Sequence, residues 1–308
     1  MDKLTGKLYS KVFGKRCDIK PGIKYFDESH FEGLLKEDFS FKNDTNCTLR
    51  GGLYHYKNYD KDTLVLFCHG IGGGHQAYMQ EINYLAKSGF LVLAFDYLGT
   101  ILSDGDNQGG FCEPIKDMSI ALDLFKNNYK NIYVVGHSWG GFVAQGLTLL
   151  HPEIKKIVTL AGMNSIKTTY NQMIKFPLNI FKKAALRLEQ QKFGDIATSS
   201  AMVSLNKEGL KGLVIQSRDD KILNPKFNFD LVKQCNTNKN IEFLEVNGKN
   251  HNPTYTSESV TKFIDYLHHL KKVKDPKDIL TLENNTNWDE LCTLDPIVME
   301  KIVTFLKK

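Results

Sequence analysis

The segment Gly136-His137-Ser138-Trp139-Gly140-Gly141 restricts this chain more than any other stretch. It follows an aliphatic run, Asn131–Val135, and opens a helical pattern, WGGFVAQGLTLL. A turn this short between strand and helix is sharp and strained, and glycines two before and two after the serine remove side chains that would clash in it. The turn lifts the serine hydroxyl clear of the sheet. It also places the hydroxyl at a helix N-terminus, where free N–H groups and the helix dipole favour an anion. Ser138 is therefore the candidate nucleophile.

The rest of the chain supplies the sheet that such a turn needs. Residues 37–56 alternate around Asn/Asp/Thr turn residues and predict a hairpin. Buried strands are expected at Thr63–Cys68, Phe90–Phe95, Asn131–Val135, Lys156–Leu160, Leu213–Gln216 and Ile241–Val246. Their near-continuous Val, Ile and Leu content marks parallel strands covered on both faces. Helical patterns near 75–88, 114–129, 139–151, 225–235 and 256–272 alternate with them, which predicts an α/β fold with helices on both sides of the sheet. The long helical stretch 162–209 interrupts the alternation and is read as a cap. The expected organisation is an N-terminal extension (1–36), a core (37–161 and 210–272), the cap, and a C-terminal extension (273–308) ending in a helix near 294–307.

Three further features belong with the serine. His69-Gly70-Ile71-Gly72-Gly73-Gly74 follows the strand TLVLFC, where a loop contributes one backbone donor to an oxyanion hole. The expected donors are the N–H groups of Ile71 and Trp139. The glycine spacing fits neither a dinucleotide fingerprint nor a P-loop, and His69 is read as a structural hydrogen-bonder. After the strand LVIQ comes Ser217-Arg218-Asp219-Asp220-Lys221-Ile222-Leu223-Asn224-Pro225, the place for a carboxylate that orients an imidazole. Asp220 is preferred and Asp219 is the alternative. Of the histidines that follow, His268 and His269 lie in a lysine-bearing helical pattern. His251 lies in the loop Gly248–Pro253 and is the expected general base.

With those residues in view, the chain resembles the α/β-hydrolase superfamily, and within it the serine aminopeptidase-like and monoacylglycerol lipase-like serine hydrolases. The resemblance covers about residues 40–272 and rests on His69-Gly70, Phe95-Asp96-Tyr97-Leu98-Gly99, Gly136–Gly141, Asp220 and Gly248–His251. Many relatives carry a second glycine where this chain has Ile101. The resemblance implies acyl transfer through a Ser138–His251–Asp220 triad, with no metal and no organic cofactor.

The expected substrate is a small-molecule ester with a small to medium acyl group. Amide hydrolysis or acyl transfer by the same residues is the first alternative, and a low-turnover binding protein the second. Met163, Met173, Ile174, Phe176, Leu178, Ile180 and Phe181 either line an acyl pocket or anchor the cap. Lys167, Lys175, Lys182, Lys183, Arg187 and Lys192 make the cap basic, which leaves peripheral membrane contact open, although a solvated helix face explains the same pattern. A formal charge of +5 falls short of a nucleic-acid-binding face. No apolar run reaches bilayer-spanning length. The six scattered cysteines form no metal spacing and suit a reducing, cytoplasmic setting. Nothing in the pattern sets an oligomeric state.

Overall fold

In a computed structural model, which describes residues 6, 9, 13–174 and 181–308, eight strands form one sheet. They are β1 (Leu35–Lys42), β2 (Thr48–His55), β3 (Thr63–Cys68), β4 (Leu91–Phe95), β5 (Asn131–His137), β6 (Ile154–Leu160), β7 (Lys211–Ser217) and β8 (Ile241–Val246). Their order is β1-β2-β4-β3-β5-β6-β7-β8. The β1–β2 and β2–β4 pairs are antiparallel, and every pair from β4 to β8 is parallel. The alternation of strands and helices predicts such a mostly parallel α/β sheet, and the resemblance to the α/β-hydrolase superfamily implies this arrangement of it.

Strand alternation divides the core in two, because successive side chains leave opposite faces of a sheet. Leu64, Leu66 and Cys68 of β3 join one cluster, whereas Val65 and Phe67 join the other. The first face is covered by α2 (Glu113–Phe125), α3 (Trp139–Leu150) and the segment between β6 and β7. The second is covered by α1 (Met79–Lys87) and by a helix at the chain end. Cys68 is buried and unpaired, and all six cysteines are free.

The β6–β7 connection contains α4 (Ile166–Met173) and α5 (Lys182–Phe193), with short turns after them. α6 (Ser257–Leu270) follows the loop after β8 and is capped by Thr256, whose hydroxyl accepts from Ser259 N–H. The polar stretch after 273 is more structured than its composition suggests. Asp275 caps α7 (Pro276–Asn284), and Asp295 caps α8 (Pro296–Lys307), each with a proline in the first turn. α8 buries Val298, Met299, Ile302, Val303, Phe305 and Leu306 in the second core cluster. Its end is pinned where Lys156 Nζ donates to Leu306 O at 2.7 Å.

Residues 13–20 lie along the loop that follows β4. Phe13 packs against Phe111 and Trp139, with ring centroids 5.9 and 6.2 Å apart. The Arg16 guanidinium donates to the carbonyls of Ile101, Ser103 and Gly105 at 2.7–2.9 Å. Ile101 N–H donates to Cys17 O at 3.0 Å. Ile101, the residue at the second-glycine position, has φ +35°. That is a costly angle for a β-branched residue, and the contacts from Arg16 and Cys17 hold it.

Candidate active site

Ser138 occupies the strand–helix turn at φ +56° and ψ −116°, a conformation that non-glycine residues rarely adopt. The turn is held by three donors to Ser138 O, the N–H groups of Gly141, Phe142 and Met163. A Cβ on residue 136 would lie 2.1 Å from Gly140 O, and one on residue 140 would lie 1.9 Å from Cys68 O. Both glycines are therefore demanded by close backbone packing.

His251 Nε2 lies 2.8 Å from Ser138 Oγ, and its Nδ1 lies 2.8 Å from Asp220 Oδ2. The Asp220 side chain is fully buried, yet all of its charge is met. Oδ1 accepts from Ile222 and Leu223 N–H, while Oδ2 accepts from Gln216 Nε2 and His251 Nδ1. Its neighbour Asp219 faces the other way. Asp219 accepts from Ser217 Oγ and from the N–H groups of Gly248, Lys249 and Asn250. Burial alone would raise the Asp219 pKa, but these donors outweigh it and hold the carboxyl below its ordinary range. The two adjacent aspartates thus divide the work. One meets the imidazole and the other shapes the loop that carries it.

At the other side of Ser138, Gly70 N–H donates to Tyr78 Oη at 3.1 Å. The N–H groups of Ile71 and Trp139 have no acceptor among the described residues. His69 is buried, with Nδ1 2.8 Å from Gly70 O and Nε2 accepting from Tyr97 N–H. Burial pushes its pKa down to about 4, so it stays neutral. His268 and His269 are exposed on α6, away from this cluster.

Residues 63–268 match the family model for the alpha/beta hydrolase fold. The chain belongs to the alpha/beta hydrolase family. The structure of the Pyrococcus furiosus esterase Pf2001 superposes with a TM-score of 0.59 at 19% identity, covering 83% of this chain and 98% of that one. A likeness at that identity speaks to the fold. Cis-3-alkyl-4-alkyloxetan-2-one decarboxylase of Shewanella oneidensis is 30% identical over 115 residues, 36% of this chain and 36% of the relative. Protein phosphatase methylesterase 1 of Candida albicans is 24% identical over 135 residues, 41% of this chain and 38% of the relative. The matches to these two curated relatives therefore span little more than a third of each relative's length.

Several residues of this alpha/beta hydrolase support the site through contacts that no spacing along the chain signals. Asp96 is fully buried and accepts from His75 N–H, His75 Nδ1 and Leu102 N–H, which ties the glycine loop to the loop after β4. Lys249 Nζ reaches Asp295 Oδ2 at 2.5 Å and so joins the His251 loop to the cap of α8. Between β6 and β7, Glu189 is fully buried and accepts from Phe111 and Cys112 N–H and from the Tyr9 hydroxyl. Burial holds its carboxyl above the ordinary range. Met163 and Phe181 are buried, and Ile174 packs against the first cluster, so these apolar positions serve packing. The Met173 side chain, Lys175, Phe176, Leu178 and Ile180 lie outside the described residues. Lys167, Lys183 and Arg187 are exposed, and Lys192 pairs with Glu113 at 2.7 Å.

Glu81 of α1 is buried beneath the His251 loop and accepts from Thr254 Oγ1 at 2.8 Å and Tyr255 Oη at 3.3 Å. Burial raises its pKa to about 7, against which those hydrogen bonds pull only partly. A carboxyl whose folded pKa exceeds its unfolded value stabilises the fold below the unfolded pKa, and that contribution is lost as pH rises through the folded value. Glu81→Gln is therefore expected to gain stability relative to the native protein between about pH 5 and pH 8, by up to about 3 kcal/mol. Parallel urea unfolding curves across that range check it, and a pH-independent difference would refute it.

A cavity of about 190 Å³ opens beside His137, Tyr78 and Asn252, walled by Phe26, Phe263 and Trp288, and it does not reach Ser138. No cluster of His, Cys, Asp or Glu among the described residues is arranged to hold a metal ion. No helix among them is long and apolar enough to cross a membrane.

Proposed function

We propose that this chain is a serine hydrolase that cleaves a carboxylic ester with a small to medium acyl group. The observation that supports it most is the unbroken hydrogen-bond line from Ser138 Oγ through His251 to Asp220, each link 2.8 Å. His251 Nε2 takes the Ser138 proton as Oγ attacks the carbonyl carbon. The carbonyl oxygen gathers charge and is met by the N–H groups of Trp139 and Ile71, which have no acceptor among the described residues. Collapse breaks the ester C–O bond. The proton passes from His251 to the departing alcohol, and the acyl group remains on Ser138. Water, deprotonated by His251, then releases the acid. Asp220 holds the imidazole with its proton on Nδ1 and offsets the imidazolium charge.

The names of two similar proteins, an esterase and a methylesterase, agree with this reading. Amide hydrolysis or acyl transfer would pass through the same acyl-enzyme, and product analysis with an added alcohol or thiol acceptor separates them.

The test is reaction of the purified protein with a fluorophosphonate probe, followed by intact mass measurement. One adduct is expected on the native protein and none on Ser138→Ala. On His251→Ala the reaction is expected to slow by about 10³-fold or more. A folded native protein that takes no adduct and hydrolyses no 4-nitrophenyl ester from acetate to octanoate refutes the proposal.

A further inference from the structure

Tyr78 and His137 link three separate parts of the candidate site, and the chemistry of their partners sets the direction of every bond. His137 Nε2 lies 2.7 Å from the carbonyl oxygen of His251. A carbonyl only accepts, so the proton sits on Nε2. Burial pushes the His137 pKa down to about 3, so the ring is neutral and Nδ1 is an acceptor. Tyr78 Oη, 2.9 Å away, must then donate to Nδ1. With its proton committed, the same oxygen accepts from Gly70 N–H at 3.1 Å. The result is a one-way chain: Gly70 N–H to Tyr78, Tyr78 to His137, His137 to His251 C=O.

Each end of this chain adjoins a reacting group. Gly70 precedes Ile71, the expected oxyanion donor, so its bond to Tyr78 anchors the backbone next to that donor. The His251 carbonyl belongs to the residue whose imidazole faces Ser138. His137 itself precedes the nucleophile. A Cβ on residue 70 would lie 2.6 Å from Tyr78 Oη, so the approach of the hydroxyl depends on glycine there.

We infer that Tyr78 and His137 are positioning residues, which hold the oxyanion loop and the His251 backbone at fixed separation from Ser138. This inference rests on the hydrolase reading above and extends it to residues that touch no substrate. Neither residue exchanges a proton with the substrate.

The test compares Tyr78→Phe, His137→Leu and His137→Gln with the native protein. Tyr78→Phe keeps the ring against Phe67 and removes only the hydroxyl. Tyr78→Phe and His137→Leu are each expected to lower kcat on a 4-nitrophenyl ester and the fluorophosphonate labelling rate by about 10- to 100-fold. KM is expected to change by less than about threefold. His137→Gln retains a donor and an acceptor on one group and is expected to recover to within about fivefold of native. The double variant Tyr78→Phe/His137→Leu falls no further than the worse single, because both break one chain. Native rates in both single variants, or losses that multiply in the double, overturn the inference.

A second readout needs no turnover. The low-field proton of His251 Nδ1–H, held against Asp220, is expected in the NMR spectra of the native protein and of Ser138→Ala. It is expected to broaden in Tyr78→Phe and His137→Leu and to return in His137→Gln. If the native serine neither labels nor hydrolyses, the hydrolase reading fails, and this resonance still decides the positioning role. A sharp, unshifted signal in Tyr78→Phe would end it.

Discussion

Asp220→Asn is expected to lower kcat for ester hydrolysis by about 10⁴-fold, while Asp219→Asn lowers it far less. The Asp220 carboxylate is an acceptor only, and it receives four donors, including His251 Nδ1–H. An asparagine must present its amide N–H to one of them. Ile222 and Leu223 N–H already fill one oxygen from the backbone, so the amide nitrogen turns towards Gln216 and His251. The imidazole then moves its proton to Nε2, where it can no longer accept from Ser138. Asp219 instead bonds three successive N–H groups of the His251 loop and the Ser217 hydroxyl. Its loss is expected to cost about 1–3 kcal/mol of stability and to soften the loop. Steady-state kinetics beside thermal melts separate the two effects. A 10⁴-fold loss on Asp219→Asn with a near-native Asp220→Asn would exchange their roles.

Gly140→Ala is expected to prevent folding, at a cost above about 4 kcal/mol. Its Cβ would meet Cys68 O at 1.9 Å and His69 O at 2.7 Å, both backbone atoms at the end of a central strand. Neither can yield without moving β3, which is bonded to β4 and β5 on either side. Gly162→Ala is the control, because its closest contact would be Thr159 Cβ at 3.2 Å. Soluble yield and unfolding midpoints read the difference. A Gly140→Ala protein that melts within about 2 °C of native would disprove the packing account.

How far the site was legible in the sequence follows the distance over which each feature is encoded. The turn at Ser138 is local, and its glycines, strand and helix occupy one short stretch. The parallel strands were legible because burial on both faces demands aliphatic runs, and their ends shifted by only a residue or two. His251 stood out by its place in a loop after the last strand. Asp219 and Asp220 differ in position along the chain by only one residue. Their difference is a direction, set when the turn at Ile222 and Leu223 bonds the Asp220 carboxylate.

The supporting residues are of another kind. Tyr78 lies 59 residues from His137, and Glu81 lies 173 residues from Thr254. No spacing rule links such pairs, because contact between them arises only once the sheet has closed. The outer segments are similar. α8 is visibly amphipathic in the sequence, but which face it covers depends on the cleft left beside α1. Neighbours along the chain suffice to specify the strands of the sheet, the strained turn at Ser138 and the kinds of side chain at the candidate site. The folded state turns the preferred Asp220, and not Asp219, onto the imidazole and brings up the buried groups around it. Both results depend on burial and hydrogen-bond direction between segments that meet only in the folded state.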